Sequence, residues 1–444
     1  MSNYIPDLPG DVLACIFLRL PAKTVLDCRC VCKLWYYVVS NSIFISDYNR
    51  RSLKSVNDRN YTHFIMSHYD VHSEEVFTLH LDDNRFINQN EELDMPFVHG
   101  LSNYITIGLC CGLACMLEIS KAEKLPLSLL IWNPSVDYSF KTFSIPPPIG
   151  RLVSSSSLNG PSIRFSDGNV WFFSSFGFGF DPKSNDYKVV RIVYRMDEFF
   201  GGIPEIVDVF ALSTGEWKDI TASAPSYVIK ENSVPVYVNG AMHWIGFYMR
   251  NDSESSTISR LIVAVFDMGN EVFNQFQLPD GVVTQANELG DDSFKVSVGV
   301  IDQSLTILHY ISYSNGYYFR KCCIWVMNEY GAKDSWSLLY DVKLFFDIGR
   351  IIGVRRNGHI LVGAAQDKEL LSVNPNYNST KPLGLRGNAL CFYADPYMEC
   401  LIIYKKVNGV PRMSISSAAT SSQRDLIART SELKITDKGK EMVE

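Results

Sequence analysis

The chain lacks any strongly basic stretch. Its 444 residues carry 41 Lys and Arg against 48 Asp and Glu, a formal net charge of −7. A duplex-binding protein draws much of its affinity from phosphate neutralisation along a basic stripe. The densest basic cluster here, Arg350 with Arg355 and Arg356, is too small for that. The charge therefore argues against a nucleic-acid partner and against a purely electrostatic membrane anchor. Long apolar runs are also missing. The run 261–266 is typical of the longest and is strand-sized, far short of the ~20 residues that span a bilayer. The opening Met1-Ser2-Asn3-Tyr4-Ile5-Pro6 holds neither the basic nor the apolar region of a secretory signal. Ser at position 2 excludes N-myristoylation. The 11 cysteines are odd in number, and without a secretory signal they read as reduced thiols. The expected compartment is the cytosol or nucleus, where the sequons at Asn60, Asn251 and Asn378 carry no sugar.

Signatures of catalysis and cofactor binding are scarce too. Gly177-x-Gly179 opens like a phosphate-cradling loop, but the third glycine is absent and no helix is expected after it. The pair reads instead as a β-turn before a strand at Tyr187. There is no phosphate-binding loop with Gly-Lys-Ser/Thr and no Gly-x-Ser-x-Gly elbow. Cys28, Cys30 and Cys32 have no second ligand pair at zinc spacing. Cys110-Cys111 and Cys322-Cys323 read as strand neighbours pointing to opposite faces. His63, His68, His72 and His80 suggest no metal set, and His243 beside Trp244 reads as a satisfied core or rim histidine. No cofactor, metal or catalytic residue is expected.

Apolar and aromatic residues are plentiful. Hydrophobic residues make up 46% and aromatics 13%, which favours a β-rich fold, since aromatic side chains pack well on pleated surfaces. The pattern divides the chain into two unlike parts and a tail, at 1–50, 61–404 and 414–444. In the first part Leu8, Val12, Leu13, Ile16, Phe17 and Leu20 recur at helical spacing. Pro9 suits the first turn of this helix, and Pro21 stops it. Second and third short helices are expected over 23–30 and 31–40, with Phe44 and Ile45 beyond a polar break. Three short helices cannot hide so many large apolar side chains among themselves. The excess packs on the β domain or faces another protein.

From about residue 61 to 404, short runs of Val, Ile, Phe, Tyr and Trp alternate with Gly, Asn, Asp, Ser and Pro clusters, the texture of strands and turns. Loosely similar units recur, roughly every 45 to 80 residues, near or above the ~50 of kelch-type blades. The fold class is α+β by segregation, helices first and an all-β domain after them. A β-propeller is expected, with a β-sandwich as the structural rival. A closed ring should pair an early strand at 76–81 with a late one at 400–404. The segments 152–164, 195–204 and 250–259 interrupt the repeat and read as loops. They present Arg151, Arg164, Arg195, Phe199, Phe200 and Arg250 as candidate substrate contacts, because Arg and aromatic residues dominate binding hot spots. The tail, rich in Ser, Thr, Lys and Glu, reads as disordered, with a short helix possible over 425–433.

Two groups of residues carry a family resemblance. Leu8-Pro9-x-Asp11, Ile16-x-x-Arg19-Leu20-Pro21-x-Lys23 and Cys30-Val31-Cys32-Lys33-x-Trp35, followed by Ser40 and Phe44, resemble the F-box in order and spacing. In that family the motif binds a small Skp-type adaptor, which in turn binds a cullin. The resemblance implies that Leu8, Pro9, Ile16, Leu20, Pro21, Val25, Val31 and Trp35 lie at or directly beneath the adaptor interface. Cys28 and Cys30 depart from the pattern, standing where plant relatives often carry an arginine and a bulkier residue. Farther on, five stretches are similar to the plant F-box-associated domain: Ile131-Trp132-Asn133-Pro134-Ser135, Gly177-Phe178-Gly179-Phe180-Asp181-Pro182, Asn185-Asp186-Tyr187-Lys188-Val189-Val190, Asn239-Gly240-Ala241-Met242-His243-Trp244 and Ile324-Trp325-Val326-Met327. That architecture occurs in pollen S-locus proteins that recognise stylar ribonucleases and in proteins that control immune receptor levels. It implies a non-catalytic, substrate-recruiting subunit of a cullin-based ubiquitin ligase and leaves the substrate unnamed. A ligase-independent scaffold and a small-ligand-binding propeller are the alternatives.

Overall fold

The computed structural model describes residues 8–57 and 63–402, apart from 70–74, 84–85, 87–89, 94–101, 121–127, 137–139, 147–150, 153–161, 167–170, 197–202, 232, 253–254, 283–295, 312–318, 366–367 and 388–391. The expectations for the tail and its short helix, and for Phe199, Phe200 and His72, lie outside the described residues.

The N-terminal unit has four helices where three were expected: α1 (Gly10–Phe17), α2 (Ala22–Cys28), α3 (Lys33–Ser40) and α4 (Ser42–Asn57). The polar break after Ser40 is a cap between two helices. Asn41 ends α3 in an extended conformation, and its Oδ1 accepts the Ile43 N–H at 2.8 Å, the capping role for which Asn is suited. In α4 the core positions Phe44 and Tyr48 are diluted by polar residues, which hid the period. The prolines also act differently than expected. Pro9 is the N-cap of α1. Pro21 opens α2 as its N-cap, because α1 has already ended through tight bonds from Arg19 N to Ile16 O and Leu20 N to Phe17 O.

The rest is a ring of antiparallel blades, which excludes the single sandwich. The strands β1 (His63–Tyr69), β2 (Glu75–Leu81) and β3 (Asn90–Leu93) begin the first blade. The second is β4 (Ser102–Cys110), β5 (Leu113–Ser120), β6 (Ser128–Trp132) and β7 (Phe140–Ser144). Two short strands, β8 (Arg151–Leu152) and β9 (Ser162–Ser166), flank the third, which is β10 (Trp171–Asp181), β11 (Asp186–Met196), β12 (Ile206–Ala211) and β13 (Glu216–Asp219). The fourth comprises β14 (Val228–Ile229) and β15 (Val236–Val238), both paired with β16 (Ala241–Asp252), then β17 (Ser255–Asp267) and β18 (Val272–Phe276). The fifth runs β19 (Val296–Ile301), β20 (Ser304–Ile311), β21 (Phe319–Met327) and the first part of β22 (Trp336–Val354). The long β22 then crosses into the sixth blade, pairing β21 up to Ile348 and β23 (Ile360–Ala364) from there on. The strands β24 (Glu369–Asn374) and β25 (Ser379–Arg386) complete it.

Closure is real but uses other strands than expected. The last strand, β26 (Tyr393–Pro396), pairs with β1 from Ser67↔Tyr393 to Phe64↔Pro396. The segment at 75–81 is interior to its blade. Residues 400–402 are not a strand; their apolar side chains serve another contact, described below. Among the described residues six hydrophobic clusters lie between successive blades, the last joining the sixth to the first through Phe64, Met66, Leu361 and Leu370. Each inner strand is thus covered on both faces, as the nearly uninterrupted burial of β10 and β11 records. The Asp82 carboxylate, held by the Arg355 side chain and the Arg356 backbone, adds a polar link between blades six and one. Arg355 Nε donates to Asp82 Oδ1 at 2.7 Å and Arg356 N to Asp82 Oδ2 at 2.7 Å. The densest basic cluster in the sequence is therefore partly internal.

Gly177 and Gly179 lie inside β10 rather than in a turn. A Cβ on Gly177 would stand 2.6 Å from Trp244 Cζ2, and one on Gly179 2.7 Å from Tyr237 Cδ2. Their absent side chains admit the rings of the neighbouring blade, a packing role for strand glycine. Asn239-Gly240, with φ of 50° and 76°, is the tight hairpin turn that this dipeptide favours.

Candidate functional site

The helical unit buries Leu13, Phe17, Ala22, Val25, Val39, Phe44 and Tyr48, with Phe17 edge-on to Trp35 at 5.0 Å. Among the residues expected at an adaptor interface, Leu8, Pro9, Ile16, Pro21 and Val31 are exposed, Leu8 by 45% and Val31 by 61%. Leu20 and Trp35 are half-buried beneath them. Val25 is fully buried: it supports the fold of this unit and touches no surface. Sequence reasoning passed over Val12, Leu34, Tyr36, Tyr37 and Ile43, all exposed. Val12 was within reach, being one helical turn from Ile16 in α1.

The core of this unit is completed from the far end of the chain. Leu401 is buried in it. Glu399 Oε2 accepts the Ala22 N–H at the start of α2 at 3.1 Å and the Tyr48 hydroxyl at 2.8 Å. Burial and the Glu399 carboxylate hold the Tyr48 phenol well above its ordinary range. Asn49 Oδ1 accepts Leu401 N–H at 3.0 Å. The strap is anchored on the second blade. Asn133 Nδ2 donates to Cys400 O at 3.0 Å and Ile402 O at 2.7 Å, and Asn133 Oδ1 accepts Ser135 N–H at 2.9 Å. Cys400 N donates to Ser135 Oγ at 3.2 Å. Asn133 and Ser135 of the Trp-Asn-Pro-Ser stretch thus tie the chain's late segment, and through it the helices, to the propeller.

The topology gives this ring two different faces. In an antiparallel blade, turns from the first to the second strand and from the third to the fourth share one end. The remaining connections share the other. The first end carries tight turns such as Asn239-Gly240 and Asp302-Gln303, and the helices dock there, where β26 exits at Pro396. Cys110 and Cys111 meet at this end as well. Cys111 sits in the turn after β4 with φ 46°, and its thiol lies 3.8 Å from that of Cys110; the expectation of two opposed strand neighbours fails there.

The opposite end carries the longer connections, from β7 to β10, β11 to β12, β18 to β19 and β20 to β21. The described substrate candidates belong to this end, but in strands and not in loops. Arg151 is in β8, Arg164 in β9 opposite Phe173, Arg195 in β11 opposite Phe172, and Arg250 in β16 opposite Thr257. Arg195 is exposed. The polar stretch 250–259 looked like an insertion, but the described residues 250–252 and 255–257 continue the pairing of β16 with β17. Sequence reasoning missed two aromatics at this end, Trp171 at the start of β10 and Phe345, 96% exposed in the irregular part of β22. The signal was present: adjacent Phe345 and Phe346 in a strand face opposite sides, and only Phe346 joins the core.

A helical unit strapped to one face of a six-bladed propeller, with the longer connections on the other face, defines a two-module protein. Residues 5–47 match the F-box domain, and residues 63–383 match the F-box associated beta propeller domain. The chain belongs to the family of plant-type F-box proteins with an F-box-associated β-propeller. It is 25% identical over 349 residues to the F-box protein CPR1 of Arabidopsis thaliana, covering 76% of this chain and 73% of that one. It is 23% identical over 352 residues to the F-box/kelch-repeat protein At3g23880 of the same plant, covering 78% and 82%.

Proposed function

We propose that the protein is the substrate-recognition subunit of an SCF-type cullin ubiquitin ligase. The observation that carries this reading is the opposition of the two faces. Exposed apolar side chains of the F-box unit, Leu8, Ile16 and Val31 among them, stand on the strapped side, where an Skp-type adaptor and through it a cullin would dock. The face with the longer connections, bearing Arg195, Trp171 and Phe345, points away from that assembly toward a protein substrate. The protein's own contribution is then proximity and not catalysis. A substrate lysine held beside a charged conjugating enzyme reacts in an effectively intramolecular step. The place proposed for the protein is the cytosol or nucleus.

Affinity capture with the proteasome blocked tests the reading. The full chain should retain adaptor, cullin and ubiquitinated proteins, and a chain lacking residues 1–57 should retain only the substrate. Adaptor without cullin would favour a ligase-independent scaffold, and neither would defeat the reading.

A further inference from the structure

The inner strands β4, β10, β15, β19, β22 and β26 enclose an axial channel of about 430 Å³, a size that suits a ligand or an inserted side chain. Much of its wall is aliphatic, including Ile107, Val298, Leu308 and Ile351. Apart from Arg355, which Asp82 neutralises at the end nearer the helices, its charges are polarised along the axis. Lys230 and Arg350 line the half nearer the face with the longer connections. Asp395, one residue before β26 ends, and Asp302, in its tight turn, line the half nearer the helices.

Asp395 is the unusual member. Its hydrogen-bond partner is the Tyr393 hydroxyl at 3.5 Å, at the limit of such a bond. The groups that feel its charge are the Cys110 and Cys111 thiols and the Tyr393 phenol, and none of these brings a positive charge. Burial raises its carboxyl to about 7. Arg350 of the same lining acts on the Tyr393 phenol, but among the described residues no cation pairs with the Asp395 carboxyl itself, a costly arrangement of the kind that concentrates where function requires it.

We propose that the channel binds an ammonium or guanidinium group on an aliphatic stem, with the cation on Asp395, and that in the assembled ligase this group is a lysine or arginine side chain of the captured protein. The aliphatic wall suits the methylene stem, while the charged head reaches a carboxyl. The axial field favours the same direction of entry, since carbonyl groups of the inserted segment would lie under Lys230 and Arg350. This deepens the substrate-receptor reading and rests on it.

The test is calorimetric titration of the full chain, bound to its adaptor, with capped Gly-Gly-Xaa-Gly-Gly peptides in which Xaa is Lys, Arg, norleucine or Glu, and with agmatine as a free amine. Lys and Arg peptides should bind at least tenfold more tightly than norleucine and Glu peptides. Asp395→Asn, checked for a cooperative melt, should abolish the difference. Agmatine should compete, but less tightly than the peptides. Equal binding of Lys and norleucine peptides, or full binding by the folded Asn variant, overturns the site. Tighter binding of agmatine than of any peptide overturns its assignment to a substrate side chain. Adaptor capture is read on the same samples, so a failure of the F-box reading is seen separately from a failure of the channel.

Discussion

Asn133 offers a direct measure of how the two modules are joined. It is fully buried and makes three hydrogen bonds, two donated to the carbonyls of Cys400 and Ile402 and one accepted from Ser135 N–H. Asn133→Ala removes a hydrogen bond from each of two carbonyls and one N–H in a largely buried region. Each stranded buried group costs about 1–3 kcal/mol, and partial rehydration recovers some of it, so a loss on the order of 3–5 kcal/mol is expected for the anchored state of residues 399–402. Asn133→Asp keeps the acceptor for Ser135 but turns a carboxylate oxygen toward two carbonyls, and it should release the strap as well. Freeing the strap removes Leu401 from the helical core and Glu399 from Tyr48 and α2, so the helices should loosen with it. Hydrogen exchange at the Cys400 and Leu401 amides reports the strap, and tryptophan fluorescence in urea, with Trp132 adjacent, reports the blade. Unchanged protection of both amides, with stability altered by less than about 1 kcal/mol, would show that the strap is held by something other than this side chain.

Further outcomes follow from the same geometry. Leu8→Ala with Pro9→Ala should weaken adaptor binding by about 2–4 kcal/mol, the range of interface hot spots, and an unchanged pull-down by a folded double variant would refute the docking face. Asp395→Asn should stabilise the propeller most at high pH. The native carboxyl holds its proton to about 7 whereas an ordinary one releases it near 3.8, so wild-type stability falls as pH rises between these values. The Asn variant should gain up to about 4 kcal/mol at pH 8 and almost nothing at pH 4; urea titrations at both pH values decide it. Ending the chain at residue 402 should leave a soluble, cooperatively melting protein. Ending it at 392 removes β26 and exposes the edge of β1, and a soluble monomer from that truncation would contradict closure. Gly177→Ala should destabilise by about 1–3 kcal/mol, since its Cβ would meet the Trp244 ring at 2.6 Å, and a neutral effect on thermal melting would show that Trp244 moves freely.

Local pattern was enough to separate helices from strands and to place some of the turns. Helical spacing from Leu8 to Leu20, the Asn239-Gly240 hairpin and the recurring strand units are properties of neighbouring residues, and so is the F-box match. Three kinds of fact were beyond it, because each depends on residues far apart in the chain. The boundary at Asn41 looked like the end of the helices, since a side chain that caps the next helix and one that simply leaves a helix are the same residue in sequence. The arginines at 164, 195 and 250 looked like loop residues, since the stretches around them lack the alternation of apolar and polar residues that marks a strand. The apolar residues at 400–402 looked like a closing strand, and only the folded chain shows Leu401 inside the helical core and Cys400 held by Asn133 and Ser135, over 260 residues earlier. The sequence by itself determined which elements form and which family they serve, because those follow from short-range periodicity and motif. The tertiary structure decided which strand closes the ring, which face carries the helices and where Asp395 lies. Those depend on contacts between distant residues, which composition and spacing do not encode.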